Sequence, residues 1–318
     1  MNASLLTISQ LSSLEITSLL SSARRLQSEE SPLKPPLPLS GKTIGLLFFE
    51  NSTRTRLSFE SAIRRLGATP LTLAIAQSSV QKGETLLDSA KNLRALGVDA
   101  FVLRHPEAGA AEFLAREIAV PVINAGDGMH AHPTQALLDA ATLWQSWSAL
   151  RTPAPAEENC LEGCKVLILG DILHSRVARS NLELLPRLGA QVTVCGPGSL
   201  LPSVEQLRAY GSIGRSLFPD ESLRECNAVM VLRLQRERQS AGFIPTLQEY
   251  TRFWGLTDER LKLLRSDARI LHPGPANPGI EISANAMADS RSLILTQVEM
   301  GIFVRMAALL RAFGRLDS

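Results

Sequence analysis

The sequence predicts an α/β protein with two doubly wound parallel-sheet domains joined by long interdomain helices. Short apolar runs alternate with segments of helical periodicity throughout the chain, a pattern typical of parallel sheets that are covered by helices on both faces. A break rich in proline and alanine at residues 151–156 separates two such series. We therefore expect one domain of residues 1–144 plus 293–318, closed by the last helix, and a second domain of residues 145–292.

The first series begins with a helix and continues with four predicted strands. Ser12 and Glu15 form a capping-box pattern ahead of an amphipathic helix that ends near Leu26. The apolar runs of the predicted strands lie at residues 44–49, 70–76, 100–103 and 120–124. The predicted helices cover residues 57–66, 86–96, 107–118 and 136–150, and residues 124–128 are expected to form a flexible loop.

The second series repeats this alternation, and its strands end in polar residues. The strands are predicted at residues 165–169, 191–195, 228–232 and 269–271, and a last helix is predicted at about 297–315. Ligands of open parallel sheets bind beyond the carboxyl ends of the strands. The polar residues that follow the predicted strands in both series are therefore the candidates for a binding site.

The composition excludes several classes of protein. The 33 basic and 31 acidic residues leave a net charge of +2, which is too balanced for a nucleic-acid surface. No apolar run approaches the roughly 18 residues of a membrane helix. The four cysteines, at positions 160, 164, 195 and 226, lack the spacing of a zinc site or a disulfide framework. We expect free thiols in a soluble, cytoplasmic protein that binds neither nucleic acid nor membrane.

The most informative stretch is the sequence Ser-Thr-Arg-Thr at residues 52–55, here called the anion turn. It follows the strand predicted at residues 44–49 and opens a helix, whose first N–H groups and dipole favour an anion. Hydroxyl groups and guanidinium forks match the oxygen atoms of a phosphate. The alternative is that Ser52 and Thr53 only cap the helix and that Arg54 and Arg56 are solvated. If Arg54 points into the site, Arg56 should face elsewhere.

The anion turn resembles the carbamoyl-phosphate signature of the aspartate and ornithine carbamoyltransferases. Further strings agree with this family in the same order, and the resemblance covers nearly the whole chain; these strings lie at residues 77–85, 132–135, 229–238 and 271–275. A strand-terminal arginine is usually a surface residue, but Arg104 shares its setting with the anion turn, which favours a ligand contact. Without the family pattern, His132 and Gln135 would be interpreted as ordinary polar residues near a helix start. The resemblance implies three groups of contacts: the phosphate with Ser52, Thr53, Arg54, Thr55 and Arg104; the carbonyl oxygen with Thr55, Arg104 and His132; and the amide nitrogen with Gln135 and the backbone near Gly274 and Pro275.

The string at residues 229–238 distinguishes the two branches of this family. It resembles the strand end that binds aspartate, whereas the Asp-x-x-x-Ser-Met-Gly loop and the His-Cys-Leu-Pro string of the ornithine branch are absent from the sequence. A second substrate with carboxylates needs arginine forks. The resemblance implies that Arg176, Arg233, Gln235 and Lys82 bind it. The segment before Arg176 lacks a Gly-x-Gly-x-x-Gly fingerprint, so a nicotinamide cofactor is not expected.

The resemblance also implies a homotrimer. In this family the loop that corresponds to Ser79 and Lys82 reaches into the site of the neighbouring subunit. By the same resemblance, Glu50 is expected to bridge to Arg176 and Arg238 when the two domains close.

The expected reaction is the transfer of the carbamoyl group of carbamoyl phosphate to the amine of L-aspartate, without a cofactor or metal ion. The resemblance makes this reaction the committed step of pyrimidine biosynthesis. Two alternatives stay open: a transcarbamylase for another amino acid, and a non-catalytic scaffold of the same fold. Assembly with regulatory chains or with a dihydroorotase also stays open.

Overall fold

Strands and helices alternate along the chain in the order that the apolar pattern predicts. The computed structural model of the chain describes residues 3–28, 36–73, 84–234 and 246–316. The strands are β1 Thr43–Phe48, β2 Thr69–Leu73, β3 Ala100–His105, β4 Val122–Asp127, β5 Lys165–Leu169, β6 Gln191–Cys195, β7 Gly214–Ser216, β8 Ala228–Val231 and β9 Arg269–Leu271. The helices are α1 Ser13–Ser28, α2 Thr53–Arg65, α3 Leu86–Ala95, α4 Ala110–Glu117, α5 Pro133–Ser148, α6 Arg176–Leu184, α7 Val204–Arg208, α8 Pro219–Glu225, α9 Leu247–Trp254, α10 Asp258–Leu261, α11 Ala284–Ala288 and α12 Ile294–Ala312.

The chain divides into two compact units, each with its own parallel sheet, which confirms the predicted fold class. Unit 1 contains Met1–Ala141 and Val298–Ser318, and unit 2 contains Thr142–Gln297. Helices α5 and α12 each begin in one unit and end in the other.

Unit 1 contains a four-stranded sheet in the order β2-β1-β3-β4, with every strand parallel to its neighbour. The central strands β1 and β3 are buried over most of their length, because helices cover both faces of the sheet. Side chains of β1, β3 and β4 form one core with α3 and α4. The register of these strands brings their carboxyl ends to one edge of the sheet.

The capping box predicted at the start of α1 is confirmed. The Ser12 hydroxyl accepts a hydrogen bond of 3.2 Å from the Glu15 backbone N–H, and the Glu15 carboxylate accepts one of 2.9 Å from the Ser12 N–H. Arg311 of α12 donates to the same carboxylate at 2.7 Å and lowers the pKa of Glu15 to about 2. This contact joins the two ends of the chain within unit 1.

Unit 2 contains a five-stranded parallel sheet in the order β7-β6-β5-β8-β9. Its core is formed by alternate residues of the central strands together with side chains from the helices and loops of residues 223–286. All four cysteines lie in this unit, and they are buried as free thiols. Burial raises the pKa of Cys164 and Cys226 to about 12 and that of Cys195 to about 11.

Several elements differ from the predictions; among them, α2 begins at Thr53 and α5 at Pro133, before the predicted residues 57 and 136. Strand β4 continues to Asp127, where a flexible loop was expected, because residues 122–127 are buried throughout and polar side chains satisfy the polar groups at the end of the strand. Helix α4 begins at Ala110 instead of residue 107. Strand β7 was not predicted, because its sequence Gly-Arg-Ser contains no apolar residue. None of the helices within the described ranges is both long and apolar enough to cross a membrane.

Candidate active site

The candidate site of unit 1 lies where three neighbouring strands end. Phe48 of β1 pairs with Arg104 of β3, and His105 of β3 pairs with Asp127 of β4. The anion turn begins four residues after Phe48, so its backbone leaves the sheet beside Arg104. The edge therefore combines a helix start, a strand-terminal arginine and the loop that follows β4.

Ser52 occupies the N-cap position of α2, but its side chain accepts no capping hydrogen bond within the described structure. Its backbone is extended, with φ −159° and ψ 95°. The interpretation of Ser52 as a capping residue only is therefore wrong, because the first N–H groups of α2 are not satisfied by its hydroxyl. Thr53 and Arg54 are exposed, whereas Thr55 is 7% exposed. The turn thus presents a helix start without a side-chain cap, with the buried hydroxyl of Thr55 behind it.

The two arginines of this segment have different surroundings. Partial desolvation lowers the pKa of Arg54, and the guanidinium remains charged at physiological pH. Arg56 lies beside Glu60 on α2, with 3.9 Å between its Nε and a carboxylate oxygen. Arg54 is therefore a cation at the turn, whereas Arg56 lies along the surface of α2 beside Glu60.

Arg104 is buried at the end of β3, so the surface interpretation of this residue is wrong. The residue is 9% exposed, and its Nη1 donates a hydrogen bond of 3.1 Å to the carbonyl of Ala125. Nη2 donates to the carboxylate of Glu50. Within unit 1, the Glu50 carboxylate therefore holds Arg104. This contact is different from the predicted bridge between Glu50 and Arg176 and Arg238.

His132 and Gln135 lie together at the start of α5. The His132 carbonyl accepts the first backbone hydrogen bond of the helix, from the Gln135 N–H at 3.0 Å. The two residues are 3% and 8% exposed. Gln135 Nε2 donates to the Asp139 carboxylate at 2.9 Å, one helical turn later.

Asp127, which the sequence did not identify as a site residue, organises the loop that leads to His132. Its carboxylate accepts hydrogen bonds from the Asn124 amide at 2.8 Å, the Gly109 N–H at 2.7 Å and the Ala131 N–H at 3.1 Å, and it contacts His130 Nδ1 at 2.9 Å. Burial raises the pKa of this carboxyl, but the hydrogen bonds and the nearby His130 together lower it below its ordinary value. A buried charge with four partners therefore fixes the loop.

We expect Asp127→Asn to lower the free energy of unfolding at pH 7 by about 1–3 kcal/mol, because a charged acceptor of several buried donors is lost. The folded-state pKa of Asp127 lies below the unfolded value of about 3.9. Its stabilisation is therefore present above about pH 4 and is lost as the pH falls through the folded-state pKa. Urea unfolding of both proteins at a series of pH values, from pH 7 down through the folded-state pKa, measures this.

The control for that experiment is Glu107→Gln, which removes an exposed carboxylate near the same loop. We expect Glu107→Gln to change the free energy of unfolding by no more than about 0.5 kcal/mol. An equal gap between wild type and Asp127→Asn at pH 7 and well below the folded-state pKa would contradict the charge-based account.

In unit 2, the end of β5 is followed by a tight turn and the start of α6. Gly170 has φ +127°, and a Cβ at this position would lie 2.9 Å from the buried Tyr250 Oη. Asp171 is fully buried, and its carboxylate contacts His174 Nδ1 at 2.8 Å. Arg176 is the first residue of α6 and is 5% exposed. The turn therefore places a buried guanidinium at the carboxyl end of the unit 2 sheet.

The ends of β8 and β9 lie beside this turn in the sheet order. Arg233 follows β8 and is half-buried, with the buried Leu234 next to it. His272 follows β9; its Nδ1 accepts a hydrogen bond of 2.8 Å from the Gly274 N–H, and its Nε2 lies 3.4 Å from the buried Glu281 carboxylate. The Gly274–Pro275 peptide bond is cis, and Gly274 has φ +60°. His272 therefore braces the turn predicted to contact the amide nitrogen.

Four of the predicted site residues, Ser79, Lys82, Gln235 and Arg238, lie outside the described residues. Among the described residues, no three His, Cys, Asp or Glu side chains are grouped so that they could hold a metal ion. The structure instead concentrates hydrogen-bond donors at the ends of the strands, in an arrangement that suits anionic substrates.

Two family models match the chain over most of its length. Residues 3–145 match the model described as "Aspartate/ornithine carbamoyltransferase, carbamoyl-P binding domain". Residues 162–312 match the model described as "Aspartate/ornithine carbamoyltransferase, Asp/Orn binding domain".

Curated relatives and solved structures agree with these models. The aspartate carbamoyltransferase catalytic subunit of Chlorobaculum tepidum is 52% identical over 87% of this chain and 87% of the relative. The same subunit of Rhodospirillum rubrum is 48% identical over 99% of this chain and 95% of the relative. Aspartate transcarbamoylase from Trypanosoma cruzi in complex with N-(phosphonacetyl)-L-aspartic acid has a TM-score of 0.83 at 30% identity, over 96% of this chain and 94% of that one. Ornithine carbamoyltransferase from Thermus thermophilus has a TM-score of 0.82 at 29% identity, over 98% of each chain.

Proposed function

The chain belongs to the aspartate/ornithine carbamoyltransferase family, and we propose that it transfers the carbamoyl group of carbamoyl phosphate to L-aspartate. The products are N-carbamoyl-L-aspartate and phosphate. The observation that carries the proposal is the anion turn, a helix start without a side-chain cap beside the buried Arg104. The choice of L-aspartate is supported by relatives of 45–52% identity that are named aspartate carbamoyltransferase catalytic subunit.

The leaving phosphate is bound by the anion turn and by Arg104. The start of α2 has no side-chain cap, so its first N–H groups are suited to an anion, and the guanidinium of Arg54 supplies charge and paired donors. Arg104 is held in place by the Ala125 carbonyl and by Glu50, so little reorganisation is needed when the substrate arrives. Ser79 and Lys82 are proposed to complete this site from a neighbouring subunit.

The carbonyl oxygen of carbamoyl phosphate becomes an oxyanion as the amine attacks. Thr55, Arg104 and His132 are proposed to donate hydrogen bonds to it, with His132 as a neutral donor. Removal of one such donor typically lowers the rate by about 10²–10³-fold. Gln135 and the backbone near Gly274 and Pro275 are proposed to accept hydrogen bonds from the carbamoyl NH₂ group.

Unit 2 is proposed to bind L-aspartate. Arg176 and Arg233 are suited to its two carboxylates, because guanidinium forks bind carboxylates with paired hydrogen bonds. Arg176 is buried, which strengthens its attraction for an anion that reaches it. Gln235 and Lys82 are proposed as further contacts, and Arg238 as a partner of Glu50 in domain closure.

The chemical step requires no metal ion or cofactor. The aspartate amine nitrogen forms a bond with the carbonyl carbon, and the bond from that carbon to the phosphate oxygen breaks. The phosphate leaves with the electron pair and accepts the proton that the amine gives up. The protein contributes by orienting both substrates and by stabilising the oxyanion.

The proposal is tested by assaying carbamoyl phosphate with L-aspartate, L-ornithine and N-acetylornithine. We expect kcat/KM for L-aspartate to exceed the values for L-ornithine and N-acetylornithine by at least about 10³-fold. Each of these two amino acids has only one carboxylate and would leave an arginine without a partner. Turnover of ornithine or N-acetylornithine instead would identify a transcarbamylase for another amino acid. A folded protein without any turnover would support the scaffold alternative.

We also propose that the chain is a cytoplasmic homotrimer that supplies pyrimidine biosynthesis. If Lys82 completes a neighbouring site, trimers that mix Arg54→Ala chains with Lys82→Ala chains contain some sites with neither substitution. We therefore expect two inactive variants to regain about a quarter to a third of wild-type activity when they are unfolded together and refolded. Light scattering coupled to size exclusion verifies the trimer.

The control for the mixing experiment is each variant refolded alone, which should stay inactive. Verified mixed trimers without recovered activity would count against a site shared between subunits. A monomer in the light-scattering measurement would contradict the trimer itself.

A further inference from the structure

Two charged side chains are buried in unit 1 beneath the candidate site. Asp139 of α5 is 0% exposed, and Arg305 of α12 is 4% exposed. Arg305 Nη1 donates a hydrogen bond of 2.8 Å to the hydroxyl of Ser58, and its guanidinium lies 5.2 Å from the centre of the Phe59 ring. Both contacts are to α2, the helix that begins at the anion turn. Gly301 leaves the space for this guanidinium, because a Cβ at that position would collide with it.

The two buried charges balance each other. Burial lowers the pKa of Arg305 to about 10, the negative charge of Asp139 opposes that effect, and the positive charges of Arg104 and Arg54 add to it. Removing one member of such a group would leave an uncompensated charge in the interior. The guanidinium of Arg305 therefore supplies a compensating positive charge near Asp139.

A carboxylate can only accept hydrogen bonds, and this determines the orientation of the Gln135 amide. Because Asp139 Oδ1 lies 2.9 Å from Gln135, the atom that faces it must be the nitrogen Nε2, which is a donor. The oxygen Oε1 is then the end of the amide that is left for a ligand. A carbamoyl NH₂ group is a donor of two hydrogen bonds, so it requires an acceptor in this position.

We propose that Asp139 is a positioning residue that orients the Gln135 amide so that its oxygen faces the NH₂ group of carbamoyl phosphate. Arg305 supports this role by keeping the Asp139 charge in the interior. The inference rests on the proposed function, because it takes carbamoyl phosphate as the ligand of Gln135. It predicts that the site distinguishes the carbamoyl group from an acyl group of the same shape.

The substitution Asp139→Asn should reverse the amide. Next to the Arg305 guanidinium, the new asparagine presents its oxygen to the cation and its NH₂ group to Gln135. Gln135 then turns its oxygen toward Asn and its own NH₂ group toward the ligand. Two NH₂ groups would face each other, and the hydrogen bond to the carbamoyl group would be lost.

The test compares carbamoyl phosphate with acetyl phosphate, which carries a methyl group in place of the NH₂ group. Dissociation constants are measured by titration calorimetry for the wild type, Asp139→Asn and Asp99→Asn. We expect Asp139→Asn to raise the dissociation constant of carbamoyl phosphate by about 10-fold to 100-fold and that of acetyl phosphate by no more than about 3-fold. The proposal would be overturned if the two dissociation constants rose by the same factor, or if neither of them changed.

Asp99→Asn is the matched control, because it makes the same chemical change at the opposite edge of the same sheet. Asp99 precedes β3 and binds Lys42 at 3.0 Å and the Thr43 N–H at 2.8 Å. We expect this variant to keep the wild-type ratio of the two dissociation constants. Loss of that ratio in Asp99→Asn would show that another, partly buried carboxylate of unit 1 produces the same effect, and would also overturn the proposal.

Gln135→Ala shows whether Asp139 acts through Gln135. In a Gln135→Ala background, Asp139→Asn should change the ratio of the two dissociation constants by less than about 2-fold. If the wild type binds carbamoyl phosphate and consumes it with L-aspartate, failure of the ratio test removes only this inference. If the wild type does neither, the proposed function fails with it.

Should Asp139→Asn not fold, neutron diffraction from a wild-type crystal with phosphonoacetamide gives the same answer. Deuterium atoms of the Gln135 amide that point toward Asp139 would support the proposal. Deuterium atoms that point toward the ligand amide would overturn it.

Discussion

Arg54→Ala is expected to lower kcat for carbamoyl transfer by about 10³-fold or more and to leave the protein folded. The guanidinium of Arg54 is an exposed cation at the start of α2, and we have proposed that it contacts the phosphate as the bond to the carbamoyl carbon breaks. Because its side chain is exposed, its removal should change the free energy of unfolding by no more than about 0.5 kcal/mol. Steady-state kinetics and thermal unfolding of the same preparation measure both quantities.

Arg56→Ala is the matched control for Arg54→Ala. It removes an identical charge two residues later, from a side chain that lies beside Glu60 on α2. We expect its activity to stay within about 3-fold of the wild type, since surface ion pairs contribute little. Near-normal turnover by Arg54→Ala, or equal losses in the two variants, would remove Arg54 from the phosphate site.

N-(phosphonacetyl)-L-aspartic acid is expected to bind at least about 10³-fold more tightly than either substrate alone. It joins a phosphonate to an aspartate through an amide that resembles the bond being formed, so one molecule makes the contacts of both substrates. Only one loss of translational freedom is then required instead of two. Titration calorimetry of this ligand, of phosphonoacetamide and of L-aspartate gives the three constants.

The control ligand is the same molecule with ornithine in place of aspartate. We expect it to bind at least about 10²-fold more weakly, because Arg176 and Arg233 would meet an ammonium group instead of a carboxylate. Comparable affinities for the two mimics would contradict the assignment of L-aspartate. An affinity for the aspartate mimic no better than that for phosphonoacetamide would contradict a site that holds both substrates at once.

The parts of the site predicted from the sequence are those in which local pattern and chemistry coincide. Residues 52–55 combine hydroxyl groups and an arginine directly after an apolar strand, so both the position at a strand end and the affinity for an anion follow from a few consecutive residues. Arg104 was selected because it ends a strand and shares its setting with the anion turn, although its burial was visible only in the structure. The assignment of roles within the site came from the family pattern.

Buried charges were the part that the sequence did not predict. Asp127, Asp139 and Arg305 belong to residue types that are usually exposed, so each would be interpreted alone as a surface residue. Their partners are far away in the chain: Arg305 and Ser58 are separated by 247 positions. Strand β7 was missed for a related reason, because its pairing with β6 determines its conformation and its own residues are not apolar.

Because all four thiols lie in the interior of unit 2, the rate at which they react reports how often that unit opens. A thiol must be both exposed and ionised to react. In the folded chain all four thiols are buried, and the pKa values of Cys164, Cys195 and Cys226 are raised by burial. Alkylation of the native protein should therefore follow the local unfolding of unit 2. Unit 1 contains no cysteine, so its opening does not contribute to the measured rate. Ligands that stabilise unit 2 should lower the rate of alkylation. This change measures their binding and requires neither turnover nor an added label.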